Sequence, residues 1–165
     1  KELNVGAGKS LTHRATLKTK YPVTARRMLS VVAGVSLVYD LSAGLLLLFA
    51  PHQFASWFGA TVPQPAIFVR LTALFLIAVG VGYFQPFRNP EAHRPYLWAF
   101  GVFLKGAGAL TFILEVLFGG SPASFLLFAV TDGALSAWTF VALRAREPIA
   151  LPATGAAAQK PSRST

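Results

Sequence analysis

Asp40, Arg70, Lys105, Glu115 and Asp132 interrupt runs that are otherwise almost wholly apolar. An ionisable side chain at the centre of a membrane-spanning helix costs about 2.5 to 3.5 kcal/mol on insertion scales, so such residues are expected to pair with one another or to serve a proton or a ligand. At a helical rise of about 1.5 Å per residue, Asp40, Lys105 and Asp132 fall ~18, ~14 and ~17 Å from the basic end of their segments, at one level near the midplane. Arg70 at ~22 Å and Glu115 at ~28 Å lie beyond them, and are expected to pair with each other, or Arg70 with Asp40.

The neighbours three and four residues away indicate which way these side chains point. Asp40 is flanked by Ala33, Ser36, Ala43 and Gly44, Lys105 by Gly101, Gly108 and Ala109, and Asp132 by Ala129, Ser136 and Thr139. Stripes of small residues are where helix backbones approach in a membrane, so the charges are expected to face the interior of a bundle. As architecture, the three form an interhelical ion pair that fixes rotation and register, with Tyr39 as a further polar contact. As a site, they hold a proton, a quinone headgroup or a small amphiphile. Lys105 can neutralise only one of Asp40 and Asp132, so the groups are expected to titrate as a coupled unit. The ammonium beside the acids argues against a cationic ligand.

Other chemistry is poorly represented. The 165 residues include no Cys, which removes disulfide exchange, thiolate metal sites and iron–sulfur ligation, and with them thiol-dependent quinone reduction. His13, His52 and His93 all fall outside the apolar runs, so haem ligation within the bundle is not expected, and no Ser/His/Asp constellation can be assembled. Gly6-Ala-Gly-Lys-Ser10 lacks the spacing of a phosphate loop. No catalytic residue, metal site or obligate cofactor is assigned.

The elements that must position these residues follow from composition. With 54% hydrophobic and 13% charged residues and a mean hydropathy of +0.54, the chain reads as a membrane protein. Four runs, approximately 28–50, 66–85, 96–118 and 122–144, are long enough for spanning helices, and the prolines lie at their edges or outside them. The short connections predict an all-α, up-down-up-down four-helix bundle. The net charge of +9 is concentrated at the ends and in one loop. Arg26, Arg27, Arg88, Arg94, Arg144 and Arg146 mark one side as cytoplasmic, with both termini there, and nucleic acid is not expected as a partner.

The loop between the first two runs carries Phe54, Trp57 and Phe58, expected as anchors at headgroup depth in preference to a lid over a cavity. Residues 1–27 read as a basic polar leader, with the natural start expected near Met28, and residues 148–165 as a disordered tail.

Tyr39-Asp-Leu-Ser-Ala-Gly44 and the sequence on to Pro51, the following Trp57-Phe-Gly59, Arg70 to Tyr83, Lys105, and Thr131-Asp-Gly-Ala-Leu-Ser-Ala-Trp138 resemble the landmarks of DoxX-like four-helix bacterial membrane proteins. The likeness covers about residues 28–145 and is one of hydropathy, spacing and polar landmarks. It implies a multi-pass protein of a bacterial cytoplasmic membrane. The leading expectation is a non-catalytic accessory or stabilising subunit, partnered by lipid and by a larger membrane complex or further copies of itself. The alternative is a binding or transport protein whose midplane Asp/Lys/Asp site takes a proton, quinone, lipid or small amphiphile.

Overall fold

The computed structural model describes residues 23–145, and the predicted tail and most of the predicted leader lie outside them. The described chain is helical throughout, with four helices long and apolar enough to cross a membrane. These are α1 (Val23–Phe49), α3 (Ile67–Arg88), α4 (Arg94–Phe118) and α5 (Ala123–Arg144); a short helix α2 (Pro51–Trp57) lies between α1 and α3.

The four apolar runs are recovered, with α1 starting earlier than expected. It is helical from Val23, the first described residue, and carries Arg26 and Arg27. Hydropathy marks where a helix becomes apolar, whereas helical geometry continues into the basic residues before that point. Ala25 and Leu29 already belong to the buried stripe of α1, which continues through Val32, Ala33, Ser36, Asp40 and Gly44. This three-to-four-residue spacing places Asp40 on the packed face.

α1 packs antiparallel against α3, with Gly44 facing Ala73 and Ile77 and Gly34 facing Phe87. α4 packs antiparallel against α5 through Gly101 on Thr139, Gly106 on Ser136 and Gly108 on Asp132. α1 joins the two pairs by also meeting α5. The end of α3 meets the start of α4 where the Tyr96 hydroxyl donates to the Val79 carbonyl at 2.6 Å and its ring sits edge-on to Tyr83. Arg94 closes the same end by donating to the Leu143 carbonyl of α5 at 2.7 Å.

α3 is interrupted at Tyr83, four residues past Val79, because Pro86 has no N–H to give to the Gly82 carbonyl. Gly59 (φ 66°) ends the α2 turn and Gly120 (φ 73°) lies in the tight link from α4 to α5, both in the left-handed region that glycine enters without penalty.

Burial is inverted relative to a water-soluble domain. Val35, Leu71, Phe103, Leu117 and Val130 are exposed, while Asp40 and Lys105 are 2% and 5% exposed. An exposed apolar surface of this extent marks contact with a membrane or with other protein.

Candidate functional site

The three midplane charges meet. Lys105 Nζ donates to Asp40 Oδ1 at 2.8 Å and to Asp132 Oδ1 at 3.2 Å, joining α4 to α1 and α5. Tyr39 completes the group: its ring centroid lies 4.8 Å from the ammonium and its hydroxyl is hydrogen-bonded to Thr131 Oγ1 at 3.0 Å. The Lys105–Asp40 pair is the more enclosed, with both side chains at most 5% exposed, whereas the Asp132 side chain is 15% exposed.

A local irregularity of α4 aims Lys105. Residues Leu97–Leu104 form π-helical turns, and Lys105 is the first residue of the regular α-helix that follows. The wider turns change the rotation at which the next helical face emerges, and such segments occur often at functional sites. The Val102 carbonyl accepts both the Lys105 backbone N–H and, at 2.9 Å, the Ser136 hydroxyl of α5. Because the backbone bond survives its loss, Ser136→Ala is expected to lower stability only by about 0.6 kcal/mol, a typical interhelical hydrogen bond in a membrane protein. Denaturant unfolding in mild detergent measures it.

Arg70 and Glu115 do not join the group. Both are exposed, and neither takes part in the ion pairs that Lys105 makes with Asp40 and Asp132. Arg70 lies in the first turn of α3 and Glu115 in the last turn of α4, with the Glu115 carboxylate turned back toward Gly119 at the helix end. The expected pairing of Arg70 with Glu115 or Asp40 is not found, and the outer parts of α3 and α4 are not packed together as α1–α3 and α4–α5 are.

That separation leaves a cavity of about 410 Å³. Asp40, Lys105, Asp132 and Tyr39 form its polar floor, Thr72, Phe75 and Leu76 one wall, and Phe100, Leu104 and Phe112 the other. Thr72 and Phe75 are exposed, so the cavity opens sideways between α3 and α4. Phe54, Phe125 and Phe128 line it on the α2 side.

The anchor expectation therefore divides. Trp57 is 59% exposed and points outward, as an interfacial anchor should. Phe54 and Phe58 turn inward instead: Phe58 lies 4.6 Å from Phe128 and 6.2 Å from Phe125, and Phe54 lies 6.0 Å from Phe128. The Ser124 hydroxyl holds α2 in place by donating to the Phe58 carbonyl at 2.6 Å. One face of this short helix is thus a roof. The three-to-four-residue spacings of Phe54/Phe58 and Phe125/Phe128 were the available signal for two facing aromatic stripes.

A second set of polar residues, weighed only as small neighbours or family landmarks, lies beside Asp40. Ser36 Oγ, the Tyr83 hydroxyl and Asp40 Oδ2 are all buried, the first two beside each other, and Asp40 Oδ2 has no donor among the described residues. No group of three metal-ligating side chains occurs among the described residues.

Comparison of the chain with protein-family models, with characterised proteins and with solved structures finds no match.

Proposed function

We propose that this chain spans a membrane and binds a small amphiphile in the cleft between α3 and α4, with the ligand's polar head at the Asp40–Lys105–Asp132 group and its apolar body among the phenylalanines. The observation that carries the reading is the coincidence of the buried charges with the floor of an apolar cavity open on one side. A pocket of this size, mostly apolar with a few convergent polar groups, is the usual form of a small-molecule site. The lateral opening would admit a ligand from the bilayer without passage through water. In this reading the arginine-rich side is cytoplasmic, and the DoxX-like resemblance would place the protein in a bacterial cytoplasmic membrane.

A second reading, a structural subunit of a larger membrane complex or of a homo-oligomer, is favoured by the enclosure of the Lys105–Asp40 pair, which ties α4 to α1 whether or not anything binds beside it. Native mass spectrometry on protein extracted in mild detergent, with lipid and quinone analysis of the same sample, separates the two. The binding reading expects a small molecule at fixed stoichiometry. Ala43→Leu, which adds bulk to the cavity wall one helical turn from Asp40, should release it while leaving the unfolding midpoint within the range of ordinary substitutions. Fixed co-purifying subunits with no retained small molecule would favour the structural reading.

A further inference from the structure

We infer that the cleft selects a lipophilic cation, an ammonium or phosphonium head carrying aromatic or aliphatic substituents. This inference rests on the binding reading above and names its ligand class. Lys105 reaches only one oxygen of each carboxylate. Asp40 Oδ2 is buried without a donor among the described residues, and Asp132 Oδ2 lies on the Gly108 side of the group, with Asp132 itself lining the cavity. Two carboxylates facing one ammonium leave the second acid to be met by a proton or by a counter-cation, because a low-dielectric setting tolerates a charge only when it is paired.

This inference departs from the expectation that the Lys105 ammonium argues against a cationic ligand. The ammonium is held closest by Asp40, at 2.8 Å in the most enclosed part of the group, and the more accessible Asp132 is left with the residual charge. The remaining walls favour the same ligand. Phe54, Phe75, Phe100, Phe112, Phe125 and Phe128 line the cavity, and aromatic faces attract cations most strongly where water is excluded. An anionic head would meet two carboxylates, and a neutral head would leave the charge unbalanced.

Protons and the cation compete for the same oxygen, so acidification should weaken cation binding. The groups facing Asp132 are Lys105 from α4, Tyr39 and Asp40 from α1 and Tyr83 from α3, with Thr131 on its own helix. The carboxylates of Asp132 and Asp40, both held by Lys105, are the bases at which a proton competes with the cation.

The test is equilibrium binding of methyltriphenylphosphonium, compared with the neutral triphenylmethanol, to the purified full chain in mild detergent. The cation should bind at least about tenfold more tightly than the alcohol, the scale of a desolvated cation–aromatic interaction. Its affinity should fall on acidification while that of the alcohol does not. In Asp132→Asn the preference should disappear, with the alcohol still bound. Equal or tighter binding of the alcohol to the wild-type protein would overturn the cation inference and leave the cleft reading standing. Binding of neither probe would overturn both. The wild-type comparison decides the matter even if Asp132→Asn does not fold.

Discussion

Lys105→Met should destabilise the bundle by about 3 to 5 kcal/mol, the cost of removing one partner from a buried ion pair and leaving the other uncompensated. The methionine fills the space of the lysine stem, so the loss is electrostatic rather than steric. Asp40, 2% exposed and with Oδ2 already lacking a donor, would lose its one hydrogen bond. Combining Lys105→Met with Asp40→Asn should restore more than half of the lost stability, since the most deeply buried charge is then gone. The two acids should differ as single variants. Asp40→Asn should cost more than Asp132→Asn, because the Asp132 contact is longer, at 3.2 Å against 2.8 Å, and its side chain has access to the cavity. Unfolding curves for the four variants and the wild type in one detergent measure all of this. A Lys105→Met protein as stable as wild type would remove the group from the architecture altogether.

This asymmetry separates what the sequence could reveal from what it could not. Helical periodicity predicts that Asp40, Lys105 and Asp132 face inward at a common depth, because the small residues around each are encoded at three- and four-residue spacing and the rise of a helix is fixed. Which acid Lys105 approaches more closely depends on the π-helical turns before it, and no residue type announces these. For Arg70 and Glu115 the helical rise gave their place in the outer half, but their pairing depended on whether the outer parts of α3 and α4 pack together, which periodicity within one helix does not encode. The cavity was invisible for a further reason: it arises where two helices fail to pack, and a lipid-facing and a cavity-facing phenylalanine look alike in a sequence. Among the aromatic residues of the first loop, Trp57 behaves as composition suggests, while Phe54 and Phe58 are recruited by partners more than sixty residues away.

The close approach of α1 and α3 yields the second large effect. A Cβ placed on Gly44 would stand 2.8 Å from Ile77 Cγ1, 2.9 Å from the Ala73 carbonyl oxygen and 3.0 Å from the Ile77 nitrogen. Two of these are backbone atoms of α3, so the contact cannot be relieved by a rotamer change. Gly80 makes the reciprocal approach, 3.0 Å from the Leu41 nitrogen. Gly44→Leu should therefore separate the helices and cost roughly 2 to 3 kcal/mol. Gly44→Ala sharpens the test, because alanine is favoured over glycine within a helix by about 1 kcal/mol, and contact with α3 must overcome that gain. Net destabilisation is expected. Gly133→Ala is the control: there a new Cβ would meet only Ala109 Cβ, at an ordinary 3.7 Å, so helix preference should prevail and stability should rise. Opposite signs for the same chemical change would locate the glycine requirement at the α1–α3 contact. Because α3 also supplies Phe75 and Leu76 to the cleft, a shift of this helix should alter probe binding in Gly44→Leu. That coupling is absent from a bundle whose cleft is incidental to α1–α3 packing.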